Sequence, residues 1–159
     1  MSTKTQIIDL LRSTNREGIE NVINLLENSD FFTVECHSHH RYEGGMADHA
    51  LETLEIARKG SHDIPQDSLI ICCLLHDLCD IHGYRQYKGH GQRSVDIAVK
   101  ECGLKLNEDE WNAIRYHMRR GEKRPDNTAL GNKVYMADKI SAMTGWLRRG
   151  QIPKDFVNL

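Results

Sequence analysis

Residues 70–84 read "IICCLLHDLCDIHGY": six apolar residues in succession, then the titratable pair His76-Asp77, then a second acid at Asp80. A helix that is apolar all round belongs inside a protein. Pro65 in the preceding "DIPQDS" suits the opening of a helix, because its missing N–H is no loss there. The stretch therefore predicts a buried central helix that ends in two polar side chains. A carboxylate left unpaired at that position would carry a large desolvation cost, so Asp77 requires hydrogen-bonding partners or a cation.

The segments on either side repeat the helical pattern. Residues 4–12 and 18–28 place Ile7, Leu10 and Leu11, then Ile19, Val22, Ile23 and Leu26, at three-and-four spacing. The loop "CHSHHRYEGG" precedes a helix predicted from about Asp48 to Lys59, with His49 in its first turn and Gly44-Gly45 permitting a tight entry. Beyond the buried helix, His90 opens a helix carrying Val95, Ile97, Ala98 and Val99. Asn107 followed by Glu110 forms a capping pattern ahead of Trp111, Ile114 and Met118. After the Pro125/Gly131 loop, "GNKVYMADKISAMTGWLRR" predicts a last long helix with Val134, Ala137 and Ile140 on one side. No stretch alternates convincingly as a strand would, so the fold class is all-α.

The 159 residues, 39% of them hydrophobic, suit one domain spanning 1–159 with a single core. No apolar run approaches the roughly 18 residues that cross a bilayer. The start, "MSTKTQIIDLLRSTN", lacks a secretory layout, so the expected location is cytoplasmic and no membrane partner is foreseen. Five cysteines, Cys36, Cys72, Cys73, Cys79 and Cys102, are odd in number and contain no Cys-x-x-Cys, which reads as reduced thiols used for packing. The net charge is −2, but Arg115 to Arg149 is basic and the remainder acidic, so one half of the chain could attract an anion.

Nine histidines are many for a chain of this size. His49, His76, His90 and His117 each fall on a different predicted helix, and Asp77 and Asp138 stand in apolar settings, "LLHDL" and "YMADKIS". Imidazole and carboxylate donors without thiolates suit iron or manganese foremost, and are compatible with magnesium, nickel, cobalt and zinc. The set exceeds the needs of one structural ion. A carboxylate can bridge two ions, which in such sites lie about 3.5–4 Å apart, and Asp77 is the candidate bridge. His62 and His82 read as ordinary histidines.

The ordered series His49, His76-Asp77, His90, His117, Asp138 resembles the HD-domain metal-dependent phosphohydrolase superfamily. The likeness extends over about residues 39–143. "HHRYEGGMADHALETLEIA" is similar to the opening helix of HD domains related to bacterial three-prime exoribonucleases. "LLHDL" is similar to the signature, and "GHGQRSVDIA", "AIRYHM" and "MADKISA" to the later elements. The resemblance implies a five-helix core with extra N-terminal helices. It also implies one metal among His49, His76, Asp77 and Asp138, and a second among Asp77, His90 and His117.

The chemistry so implied is hydrolysis of a small anionic phosphoester, a nucleotide foremost, by an activated water, with Asp77 and His76 at the catalytic centre. Candidate phosphate contacts are Arg93, one turn after His90, together with Lys88, Arg119 and Arg120. His37, His39 and His40 are candidates to hydrogen-bond the metal ligands from outside. Many relatives read His-Asp-x-Gly-Lys, whereas this chain reads His76-Asp77-Leu78-Cys79-Asp80, with an acid in place of the phosphate-contacting lysine. Either another cation contacts the substrate, or Asp80 points away, or the substrate differs. Two other functions share the pattern: an HD-fold di-iron oxygenase and a non-catalytic nucleotide-binding module. No nucleic-acid-binding module is readable.

Overall fold

The computed structural model describes residues 1–36, 38–81, 89–118 and 128–148, with residues 146–148 described by backbone alone. Its helices are α1 (Thr3–Ser13), α2 (Ile19–Asn28), α3 (Gly45–Arg58), α4 (Gln66–Leu75), α5 (His90–Asp96), α6 (Glu108–Arg115) and α7 (Ala129–Arg148). A 3-10 turn, Leu78–Asp80, follows α4, and a π turn, Ile97–Glu101, prolongs α5. There is no strand among the described residues, so the all-α reading holds. No helix among them is long and apolar enough to cross a membrane.

Local chemistry sets the helix ends. Ser2 accepts from the backbone N–H of Thr5 to start α1, and Thr128 accepts from Gly131 N–H at the start of α7. Asn107 and Glu110 cap α6 reciprocally, as the sequence pattern anticipates. Every residue of α4 from Ser68 to Leu75 is buried. This helix lies between neighbours instead of on a surface, packing against α1, α3, α6 and α7. Leu69, Ile71, Leu74 and Leu75 are fully buried there, and removing each such side chain from water is worth about 1.5–3 kcal/mol. The five cysteines form no disulfide and are buried, Cys72 and Cys73 inside α4. They serve as small hydrophobes.

Entry into α3 is cramped. Gly44 adopts φ +81°, and a Cβ on Gly45 would collide with the carbonyl of His40. The helix consequently begins at Gly45, three residues before the predicted start, and His49 sits one full turn in.

Two corrections concern α7. It begins at Ala129, two residues before Gly131. Val134 and Ala137 face inward as expected, but Ile140 is 43% exposed. Asp138 and Ser141 occupy the inner face instead, so apolar spacing misidentifies the buried side of a helix that directs polar groups into the interior. Ile140 and the exposed Met136 line a surface groove with Ile56 and Ile64.

Candidate metal centre

Five helices deliver six side chains to one place. His49 comes from α3, His76 from the C-terminal end of α4 and His90 from the first position of α5. His117 follows α6, and Asp138 lies midway along α7. Asp77 leaves the α-helical path at φ −105°, ψ 24° as the chain enters the 3-10 turn. That turn is pinned to α5 by the Cys79 N–H, which donates to Ser94 Oγ at 3.1 Å.

The side chains form two groups that share Asp77. In the first, His76 Nε2 lies 3.1 Å from Asp77 Oδ2 and 3.5 Å from Asp138 Oδ1. His49 Nε2 lies 3.1 Å from Asp138 Oδ1, 3.5 Å from Asp77 Oδ2 and 3.3 Å from His76 Nε2. In the second, Asp77 Oδ1 lies 2.7 Å from His90 Nε2 and 3.3 Å from His117 Nε2. Asp77 thus turns one oxygen to each group. Potential donor atoms within each group lie within 4.8 Å of one another.

The outward nitrogens of the four rings explain why Nε2 faces inward in each. His76 Nδ1 and His117 Nδ1 donate to the backbone carbonyls of Cys73 and Ile114, at 2.8 and 2.7 Å. His49 Nδ1 meets Ser141 Oγ at 2.9 Å, and His90 Nδ1 lies 3.6 Å from Asp80 Oδ1. A proton held at Nδ1 leaves the Nε2 lone pair for a metal, and such outer contacts orient metal-binding histidines. Ser141 and the two carbonyls are not visible as partners in the sequence. Ser141 could have been found from Asp138, three residues earlier on the same helix face.

The electrostatics call for positive charge between these groups. Burial opposes charging of His76, but Asp77 and Asp138 outweigh it and push its pKa well up. Burial likewise opposes ionisation of Asp77 and Asp138, and the surrounding imidazoles outweigh it, holding both carboxyls well below the usual range. His117 differs: burial prevails over Asp77 and lowers its pKa. Its Nε2 is buried with no well-formed hydrogen bond, which suits a lone pair aimed at a cation. Four imidazoles and two carboxylates with one inward-facing orphan nitrogen fit divalent metal ions.

The remaining candidates are placed differently. Asp80 is turned toward His90, and burial raises its pKa with Asp77 adding to the effect. Arg93 lies one turn after His90, with Nη2 3.8 Å from Glu101 Oε1. His39 packs edge-on against His49 with ring centroids 4.4 Å apart, and burial, with His49, lowers its pKa to about 3. His40 Nε2 lies 2.9 Å from Glu52 Oε2. His62 is exposed. Lys88, Arg119, Arg120, His37 and His82 lie outside the described residues.

A helical bundle with His and Asp donors at this spacing is compatible with binding a divalent metal. The family model of the HD domain matches residues 46–143, more than half of the chain, and the chain belongs to that family. The superfamily is commonly one of metal-dependent phosphohydrolases. No curated protein and no solved structure matches the chain.

Proposed function

We propose that this chain is a metal-dependent phosphohydrolase that acts on a small phosphoester, a nucleotide foremost, with two divalent ions. The observation that carries the reading is the division of Asp77, Oδ2 toward His49 and His76 and Oδ1 toward His90 and His117. His49, His76, Asp77 and Asp138 would hold one ion, and Asp77, His90 and His117 the other. Such ions, when bound, supply Lewis acidity toward phosphoryl oxygen and lower the pKa of water toward neutrality.

The protein's own part is positioning. Four Nδ1 contacts hold the rings so that their lone pairs converge. Asp80 serves His90 rather than the substrate phosphate. Arg93, one turn after His90 on α5, is the candidate for the phosphate contact that the acid at position 80 does not offer. Lys88, directly before Gly89-His90, and Arg119, two residues past His117, are further candidates by sequence position.

The test is metal analysis of the purified protein, followed by a phosphatase and phosphodiesterase screen with manganese, iron, magnesium, nickel and cobalt, run with and without oxygen. Phosphate release that ignores oxygen is the expected result. Turnover that requires oxygen and releases no phosphate would instead identify an oxygenase. A metal-free protein whose melting temperature is unchanged by His76→Ala would overturn both readings.

A further inference from the structure

Asp138 turns its two oxygens to different partners. Oδ1 lies 3.1 Å from His49 Nε2 and 3.5 Å from His76 Nε2, whereas Oδ2 accepts from Lys139 Nζ at 2.9 Å. The next residue along α7 thus brings an ammonium to within one carboxylate of the first donor group. The cations already considered for a phosphate contact stand near His90 and His117 in the chain. Lys139 stands on the other side of the centre, with His49 and His76.

The pair runs from the interior outward. The Asp138 side chain is 6% exposed and that of Lys139 is 37% exposed, so the carboxylate is enclosed while the ammonium meets solvent. Tyr135, one turn earlier on α7, holds the lysine from a second direction, with Nζ 5.4 Å from its ring centroid, within the range of a cation–π contact. The head group is therefore placed by two contacts instead of ranging over the surface.

An ammonium carries three N–H donors, and Asp138 accepts one of them. Asp138 also has two imidazoles at its other oxygen, and a half-open ion pair adds little to stability by itself. The consequence of the pairing is positional: a positive charge is fixed at the edge of the metal centre, where an anion that reaches the first donor group meets it.

We propose that Lys139 is a substrate-binding residue whose ammonium donates to a phosphoryl oxygen of the bound ester. It brings positive charge from α7 to a centre in which position 80 carries an acid. That the anion is an ester to be hydrolysed rests on the phosphohydrolase reading; the anion contact itself does not.

The test uses the purified full chain supplemented with magnesium, with inorganic phosphate as the probe. In titration calorimetry Lys139→Met, which keeps the length and removes the charge, should bind phosphate about tenfold more weakly, the size of one lost charge-assisted hydrogen bond. Lys139→Arg should restore most of the affinity, and magnesium binding should be the same in all three proteins. A Lys139→Met protein that holds phosphate as tightly as the unmodified chain overturns the proposal. So does one that loses magnesium in step with phosphate, because Lys139 would then act on Asp138 and not on the anion. An unmodified chain that takes up no phosphate overturns it as well.

A second measurement does not depend on the folding of Lys139→Met. In the unmodified chain labelled with carbon-13 at lysine Cε, the signal that is missing from Lys139→Arg should move when phosphate is added and stay still with chloride at equal ionic strength. A signal that ignores phosphate overturns the contact. Turnover of p-nitrophenyl phosphate then tests the substrate role: Lys139→Met should lower kcat/KM about tenfold, and an unchanged value removes Lys139 from substrate binding. If no phosphoester is hydrolysed, the phosphohydrolase reading fails, while the phosphate titration and the lysine signal still decide whether Lys139 holds an anion.

Discussion

Asp77 approaches His90 more closely than any other ring, its Oδ1 lying 2.7 Å from His90 Nε2, and its second oxygen faces the opposite group. One carboxylate is therefore common to both donor sets, while His90 belongs to one of them. His90→Ala is expected to halve the metal content of the purified protein and Asp77→Ala to abolish it, as read by elemental analysis. Equal losses from the two variants would show that the oxygens of Asp77 do not serve separate ions.

Asp80 stands 3.6 Å from His90 Nδ1, the one outward ring nitrogen of the four that faces a carboxylate. Outer partners of this kind are worth roughly 10–100-fold in metal affinity. On the proposed two-ion reading, Asp80→Asn is expected to weaken binding of the ion assigned to His90 and His117 by about tenfold and to leave the other unaffected. Manganese titration followed by electron paramagnetic resonance separates the two events. Uniform weakening of both ions would remove Asp80 from this role.

Glu110 joins three parts of the bundle. It is fully buried, accepts from Arg16 Nη2 at 2.8 Å and from Ser68 Oγ at 2.8 Å, and completes the α6 cap. Burial alone would raise its pKa, but the hydrogen bonds from Arg16, Ser68 and the Asn107 backbone outweigh it and hold the carboxyl below its ordinary value of 4.5. A depressed folded pKa means that the unfolded chain takes up the proton first. The stabilisation is then complete above about pH 4.5 and is lost as pH falls through the folded value. Glu110→Gln is expected to lower stability by about 3 kcal/mol at neutral pH, since the partner charge is left behind. It should also flatten the fall in melting temperature between pH 5 and pH 3. Parallel pH profiles for the two proteins would count against it.

The legible parts of this molecule are those governed by local rules. The unbroken apolar run before His76 announces a helix buried on all sides, and α4 is one. The Asn107–Glu110 spacing announces a cap, and α6 has it. The ordered His and Asp residues could be singled out because each stands at a helix end or in an apolar setting, and the bundle does gather them. What could not be read depends on tertiary geometry. Ile140 is misassigned because the inner face of α7 carries Asp138 and Ser141 rather than a continuous apolar stripe. Glu52 carries no mark in the sequence, and it meets His40 only because the left-handed turn there folds back onto α3. The carbonyls of Cys73 and Ile114 carry no sequence signal, since every residue has one.

Gly91 shows how closely the second donor group depends on helix spacing. It follows His90 on α5, and a Cβ there would run into the backbone carbonyls of Arg115 and Ile114 on α6. The Ile114 carbonyl is also the acceptor that orients His117 through its Nδ1. Because both obstructing atoms are backbone, the added methyl cannot be relieved by a rotamer change, and α5 must move away from α6. Gly91→Ala is therefore expected to cost about 1–3 kcal/mol by overpacking and to separate His90 from His117. Two readouts are needed, chemical denaturation for stability and metal titration for the site. The expected signature is weaker binding of the ion between His90 and His117 under conditions where the variant is still fully folded. Wild-type affinity for that ion would mean that the spacing of α5 and α6 does not govern the site.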